Sequence, residues 1–316
     1  MARYVLRRLA GAVPLLVIAS FIVFSFIHIA PGSPEHILLA GKRVDPETLQ
    51  AIRDHYHLDD PFLVQYWHWL ANAATGDLGD SILFKDTVAN VVGPRIVPTL
   101  ELAGYATLLI VVAGLGIGIL SAVKRGTLID TAASVVTIVG SSVAAYVSGI
   151  LMIVVFSVKI GWFPVFGLGG GGIDRLYHLT LPAIALAIAL AALVARVTRA
   201  SMGQVLVMEF VETARSRGFS ERRVIGKHAL RNALIPVITI SGLIAGFLIS
   251  SSVLVEYTFG LNGLGALLIQ SVQNRDFPVV QAVTLLMTAA FVFINLFVDL
   301  LYAVADPRVR LQQEAA

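Results

Sequence analysis

The chain has no cysteine among its 316 residues. That excludes disulfides, thiolate metal sites and a cysteine nucleophile, and says little about compartment. Charge is scarce as well: 14% of residues are charged, against 57% hydrophobic. Soluble domains average about 25% charged residues, so an ordinary soluble globule is excluded. No Gly-x4-Gly-Lys-[Ser/Thr] sequence occurs, and the chain cannot cradle the phosphates of a nucleotide in that way. Gly167-Leu168-Gly169-Gly170-Gly171-Gly172 formally satisfies a G-x-G-x-x-G pattern. It follows an apolar run rather than a strand, and reads as a flexible or close-packed turn. His55 and His57, near Asp54 and Asp59, are a metal candidate, but a solvated loop without further ligands argues against it.

Long apolar runs are what the chain has in abundance. A helix needs roughly twenty apolar residues to cross a hydrocarbon core of about 30 Å. Runs of that kind cover Leu9–Ala30, Thr99–Val123, Thr131–Val158, Leu181–Thr198, Ala233–Glu256 and Gln281–Ala305, which predicts an all-α membrane protein of about six transmembrane helices. The first run follows Arg3, Arg7 and Arg8, as a secretory signal would. It is longer than a signal core, and Ala30-Pro31-Gly32 is a poor cleavage context, so we expect it to be retained.

Lys and Arg in the short loops set the orientation. Arg3, Arg7 and Arg8 precede the first span, Lys124 and Arg125 follow the second, and Arg308 and Arg310 follow the sixth. The short segments on the opposite side hold only Lys159, Arg175 and Arg275. Both termini are therefore expected in the cytoplasm. The net charge of +3 is an orientation signal rather than a nucleic-acid footprint, and no nucleic-acid partner is expected. The resulting division is residues 1–30 as N-terminus and first span, 31–97 as an extracytoplasmic helical segment, 98–305 as the core with spans two to six, and 306–316 as a cytoplasmic tail.

The outer segment carries two similar helix starts, Asp45-Pro46-Glu47 and Asp60-Pro61. In each, Asp can cap free N–H groups while Pro takes the first helical position. The second helix presents Phe62, Tyr66, Trp67, Trp69 and Leu70 for an interfacial belt or for packing on the membrane domain. Gly76-Asp77-Leu78-Gly79-Asp80-Ser81 is turn chemistry. Val88, Val91, Val92 and Ile96 form a stripe suited to the interface, with a break expected at Gly93-Pro94. Gly114, Gly116 and Gly118, and later Gly242 and Gly246, let helices approach closely, within this subunit or against another.

Between spans four and five lies a basic loop, 199–232, too long for a simple connection. Arg196, Arg199, Arg215, Arg217, Arg222, Arg223, Lys227 and Arg231 fall in or beside it. Gln204–Ser216 reads as a helix with Val207, Met208, Val211 and Ala214 on its apolar side. Gly218 can end it in the left-handed conformation, and Ser220 can cap a second short helix running to about Leu230. Such a projecting corner suits a groove on a partner. A basic hairpin lying on anionic lipid fits the same residues.

Glu212-Thr213-Ala214-Arg215-Ser216-Arg217-Gly218, followed by Arg231-Asn232-Ala233-Leu234-Ile235-Pro236, resembles the EAA loop of the membrane subunits of bacterial ATP-binding-cassette importers. Glu212, Ala214 and Gly218 match its Glu-Ala-Ala, three residues, Gly pattern, and Thr213 departs from the central Ala. The spacing to Pro236 is similar to that of the dipeptide, oligopeptide and nickel permease subfamily. Arg7-Arg8-Leu9, Pro31-Gly32-Ser33-Pro34, Leu58-Asp59-Asp60-Pro61, Gln65-Tyr66, the Gly76–Ser81 turn, Arg275-Asp276-Phe277-Pro278 and Asp306-Pro307-Arg308 extend the likeness along nearly the whole chain. Leu261-Asn262-Gly263-Leu264-Gly265 departs from the usual Pro-Gly-Leu-Gly. The long segment after the first span resembles the B-type subunit.

The resemblance implies a type I importer permease fold and a permease for di- or oligopeptides working by alternating access, with nickel chelates or glutathione as alternative cargo. It implies a homologous C-type permease subunit, two ATP-binding subunits that hold ATP and Mg, an extracytoplasmic substrate-binding protein, and a place in the lipid bilayer of the bacterial inner membrane. This chain itself would be no enzyme and hold no cofactor. Glu212, Thr213, Ala214, Arg215, Arg217, Gly218, Phe219 and Ser220 would couple to the ATPase. The binding protein would meet segment 31–97 and the loop Tyr257–Val280.

Ser141, Ser142, Tyr146, Ser250, Ser251 and Ser252 are candidates for the translocation path, as small or polar positions on spans three to five. Ionisable groups inside a membrane are functional candidates by default. Asp299, with Asn295 on one face, suits a proton-coupled transporter or a structural pairing of the sixth span. For Glu101, Arg196 and Glu256, near span ends, interface solvation is the expected role.

Overall fold

The structure, a computed structural model, describes the backbone of residues 2–29, 50 and 59–305, and the side chains of 10–26, 50, 59–298 and 300. The motif at Pro31–Pro34, the helix start at Asp45-Pro46-Glu47, the pair His55 and His57, the tail motif Asp306-Pro307-Arg308 and the side chains of Arg3, Arg7, Arg8 and Asp299 lie outside those residues.

The described elements are α1 (Ala2–Ile29), α2 (Phe62–Thr75), α3 (Val88–Val123), α4 (Leu128–Ser142), α5 (Ala145–Lys159), α6 (Gly172–Val205), α7 (Glu209–Ser216), α8 (Glu221–Thr258), α9 (Leu264–Gln273) and α10 (Phe277–Ala305). No sheet forms among the described residues; Asp80 and Thr87 make an isolated bridge. Helices α3, α6, α8 and α10 are long and apolar enough to cross a membrane, and α4 with α5 makes a fifth span if the bent pair is one. The described apolar stretch of α1, Ala10–Phe26, is shorter.

The chain divides into two compact units, Met1–Thr99 with Gly260–Val292, and Leu100–Phe259 with Phe293–Ala316. These are not consecutive blocks of sequence. In the first unit α2 packs on α1: the Tyr66 hydroxyl donates to the Val17 carbonyl at 3.2 Å and lies 2.8 Å from Ser20 Oγ. Phe24 meets the rings of Phe62, Tyr66 and Trp69 at 5.5–5.6 Å, and Phe21 sits edge-on to Phe62 and Tyr66. Contacts of this geometry add about 0.5–1.5 kcal/mol each beyond area burial. Packing is thus the use of Phe62, Tyr66 and Trp69, while Trp67 stays 66% exposed. Pro61 occupies the N-cap of α2, with its carbonyl accepting from Val64 and Gln65; Asp60 precedes the cap instead of forming it.

Two expectations fail in this unit. The chain does not break at Gly93-Pro94, because α3 runs through Pro94 and Pro98. A proline early in a long apolar helix is tolerated where neighbours satisfy the freed backbone groups. The stripe does not lie at an interface either, since Val88, Val91 and Val92 are buried. Buried polar bonds help join 260–292 to this unit. Asp276, fully buried, accepts from Ser81 Oγ at 2.5 Å and from the Leu83 and Ile82 N–H groups at 3.2 and 3.4 Å. The Leu264 N–H donates to Thr99 Oγ1 at 2.8 Å, at the start of α9.

In the second unit α6 packs against α4, α5 and α8. A Cβ at Gly114 would meet Val194 at 2.6 Å, and one at Gly118 would overlap Thr198 of α6. Gly242 and Gly246 face Val298 and Asn295 of α10 in the same way. These four glycines serve contacts inside the subunit, whereas Gly116 faces open space. Thr131–Val158, read from its apolarity as one span, is broken: Val143 and Ala144 take extended backbone angles, and α5 leaves α4 at 102°. The run stays apolar across the bend, so hydropathy carries no trace of it. Gly167, Gly169, Gly171 and Gly172 all have positive φ, and the Gly170 N–H donates to Asp174 Oδ2 at 2.6 Å. The glycine cluster is a turn.

Candidate coupling site

The loop 199–232 is a folded corner with a buried base. Helix α6 stops at Val205, where the Leu206 and Met208 N–H groups bond to Met202 and Val205. Met208, extended, then caps α7. A single helix over Gln204–Ser216 is therefore not formed, and Val207 and Met208, expected on its apolar side with Val211 and Ala214, are instead 80% and 47% exposed in the turn. Val211 and Ala214 are buried as expected. They join Ala122, Met202, Val205, Val224, Ala229 and Ala233 in one cluster, with Phe219 packed against it. The corner is thereby seated on the ends of α3 and α6 and the start of α8.

Gly218 ends α7 with φ of 79°. Its N–H bonds to the Arg215 carbonyl at 2.9 Å, and the Phe219 N–H reaches Ala214 at 3.3 Å. This is the Schellman pairing, with Phe219 and Ala214 supplying its hydrophobic contact. Arg215 Nε donates to Glu221 Oε1 at 2.9 Å across the turn. Arg223 lies 4.8 Å over the Phe219 ring, and His228 stacks on that ring at 5.6 Å. Ser220 takes the N-cap position of α8, without a side-chain cap bond. The Thr213 hydroxyl bonds to the Glu209 carbonyl at 2.9 Å, so the helix accommodates Thr at that place.

Of the residues named from the sequence, Glu212, Thr213, Arg215, Arg217, Gly218 and Ser220 are exposed on the corner; Ala214 and Phe219 hold it from beneath. The second short helix does not end near Leu230. It continues through a π-helical segment, Val224–Ala229, into the full length of α8. Movement of the corner and movement of α8 are consequently linked by one helix.

Asp130 was not found from the sequence, because a lone Asp at the head of an apolar run has no pattern around it. It is buried and accepts from Arg199 Nε and Nη2 at 2.8 and 2.9 Å, from Ser121 Oγ at 2.5 Å and from the Gly126 N–H at 3.0 Å. Arg199 belonged to the basic tally of the loop without a partner in view. The nearby Ser201 hydroxyl donates to the Ala233 carbonyl at 3.0 Å, tying α6 to α8.

Ser141, Ser142 and Tyr146 gather at the bend between α4 and α5, with Ser142 and Tyr146 exposed and Ser141 half-buried. Ser250 is exposed, Ser251 half-buried and Ser252 fully buried. Ser252 donates to Glu256 Oε1 at 3.0 Å. Glu256 is 1% exposed, so interface solvation does not describe it: the helix turns it inward. Glu101 pairs with Arg175, and Arg196 is exposed. Among the described residues no group of three or more His, Cys, Asp or Glu is placed to hold a metal ion.

The family model described as the binding-protein-dependent transport system inner membrane component matches residues 114–311, and its N-terminal companion matches 1–87. The chain is 43% identical over 310 residues to the glutathione transport system permease protein GsiC of Escherichia coli O6:H1 (strain CFT073), covering 98% of this chain and 99% of that protein. The same protein of Shigella dysenteriae serotype 1 is 42% identical over the same shares. Among solved structures, the fold is similar to a chain of the MetNI methionine ABC transporter in inward-facing conformations. There the TM-score is 0.56 and the identity 18%, over 68% of this chain and 96% of that one. A chain of an amino acid ABC transporter solved with histidines gives a TM-score of 0.51 and 22% identity, over 70% and 94%. Matched along nearly its full length, the chain belongs to the binding-protein-dependent transport system inner membrane component family, and is a multi-pass, non-catalytic permease subunit of an ABC importer.

Proposed function

We propose that this subunit forms, with a homologous but non-identical C-type permease subunit, the translocation path for short peptides, and that glutathione is its cargo. Two partner ATPase subunits hold ATP and Mg and drive alternating access. Relatives more than 40% identical over almost the whole chain are named glutathione permeases, which favours that tripeptide over unmodified di- or oligopeptides. Cargo selection rests largely with the separate binding protein.

The observation that carries the mechanism is the exposed corner Glu212–Gly218 on its buried base. ATP can shift a membrane domain only by interacting differently with its two states. A corner fixed to the ends of α3, α6 and α8 passes an ATPase movement to three helices at once. On this reading 199–232 and both termini face the cytoplasm, and 31–97 faces outside. Segment 31–97 and the loop Tyr257–Val280 receive the binding protein; that residues 260–292 fold with 1–99 supports a single receiving surface.

Reconstitution of the complete transporter in liposomes tests this. ATP with binding protein should drive uptake of labelled glutathione, and a pH gradient alone should not. Gly218→Pro or Glu212→Lys should abolish ATPase docking or coupling while leaving the subunit inserted. Uptake and substrate-stimulated hydrolysis surviving both substitutions would remove the coupling assignment. Uptake of an alanine dipeptide with glutathione ignored would restore the broader peptide reading.

A further inference from the structure

Helix α4 packs on α6 but buries few of its own side chains. Of its fifteen residues only Asp130 and Thr137 are buried, and Leu128, Ile129, Val135, Val136, Ile138 and Val139 are exposed. The Thr137 hydroxyl spends its hydrogen bond within the helix, on Ser134. Asp130, by contrast, is satisfied by four donors from three separate places: Ser121 on α3, Gly126 in the following turn and Arg199 at the base of the corner. The guanidinium binds both carboxylate oxygens, the fork geometry that adds direction to strength.

The pair is bordered by two clefts. A cleft of about 350 Å³ opens beside Arg199, among Ser121, Thr137 and Arg196. A second of about 440 Å³ is lined by Arg125, Gln204 and Val207. Arg199 lines both. Alongside the packing of α4 on α6, the ion pair is a direct polar link from the base of the corner to the head of α4. Beyond α4 come the bend and the candidate path residues Ser141, Ser142 and Tyr146.

We propose that Asp130 and Arg199 are a positioning pair for import: they make the bent span α4–α5 follow the base of α6 when the corner is moved, so that hydrolysis is converted into opening and closing at the bend. The proposal rests on the coupling role of Glu212–Gly218. It adds a route from that corner to a helix the corner does not itself pack against in the buried cluster.

The test uses the complete reconstituted transporter with its binding protein, measuring glutathione uptake and ATP hydrolysis together. Asp130→Asn and Arg199→Gln are expected to lower molecules transported per ATP about five-fold or more, the lower end of ordinary coupling factors, with hydrolysis and complex assembly retained. The double variant should be no worse than either single one, and Arg199→Lys should recover part of the ratio. Unchanged ratios, or transport and hydrolysis falling in proportion, would overturn the pair's role. Gly218→Pro in parallel reports on the corner itself: hydrolysis still stimulated there removes the coupling reading, whatever Asp130 does. Should Asp130→Asn fail to assemble, the cysteine-free chain allows spin labels at Val136→Cys and Ala200→Cys with the pair intact. The α4–α6 label distance should stay constant between nucleotide-free and ATP-bound transporter; a distance that changes refutes the proposal.

Discussion

Ser81 Oγ donates to Asp276 Oδ2 at 2.5 Å although 195 residues separate the two in sequence. Ser81 closes its own turn as well, accepting from the Phe84 N–H at 3.0 Å and bonding through its backbone to Asp86 and Lys85. Of the two motifs concerned, Gly76–Ser81 reads in the sequence as turn chemistry and Arg275–Pro278 only as part of the family likeness. They are two sides of one knot.

Replacing Asp276 by Ala strands the buried Ser81 hydroxyl and the half-buried Ile82 and Leu83 N–H groups, at up to about 1–3 kcal/mol for each group left unpaired. Ser81→Ala removes a donor and leaves the carboxylate its two backbone partners. Thermal unfolding of the purified subunit should rank Asp276→Ala well below Ser81→Ala, with both below the parent. Equal melting for all three proteins would mean the knot contributes nothing.

Close helix approach sets a second expectation. Gly118→Val drives a side chain into Thr198 and the Ala195 carbonyl, while Gly116→Val enters open space. Overpacking costs roughly 1–3 kcal/mol, so melting temperature and yield should fall for Gly118→Val and hold for Gly116→Val. A matching loss at Gly116 would place that glycine at a contact with another subunit.

At the corner, conformation should matter more than surface charge. Gly218→Ala keeps the chain intact but puts a Cβ at φ of 79°, a conformation costing other residues about 1–2 kcal/mol. Glu221→Gln weakens an exposed pair with Arg215, of the kind worth about 0–1 kcal/mol. Limited proteolysis at Arg215 and Arg217 should accelerate in Gly218→Ala and change little in Glu221→Gln; the reverse order would contradict the Schellman account.

Ser252 and Ser250 separate structure from path. Ser252→Ala removes a buried donor to Glu256 and should lower stability by about 1 kcal/mol without altering the apparent KM for glutathione. Ser250→Phe, on the exposed side, should alter uptake kinetics and spare stability if that face lines the path. A changed KM in Ser252→Ala would bring Ser252 back among the path residues.

Much of the helical layout was legible because apolar length is a local property. The long runs became α3, α6, α8 and α10, and Gly218 ended α7 in the left-handed conformation expected of it. The bend at Val143-Ala144, the continuity of α3 through Pro94 and the merging of the second corner helix into α8 were not legible. Each depends on which neighbours satisfy a few backbone groups, and hydropathy does not register that. Val207 and Met208 were misplaced for a related reason: the periodicity of the apolar residues carried a helix across a three-residue turn.

Residue order by itself determined that this protein is built of membrane-length helices, lacks a phosphate loop and thiol chemistry, and carries a corner of recognisable spacing. All of these follow from chemistry within a few residues or turns. Only the tertiary structure decided that residues 260–292 belong with 1–99, that Glu256 turns inward, and that Asp130 answers Arg199. A buried polar group must find its partner wherever the fold brings one within about 3 Å, and sequence separation places no limit on that distance.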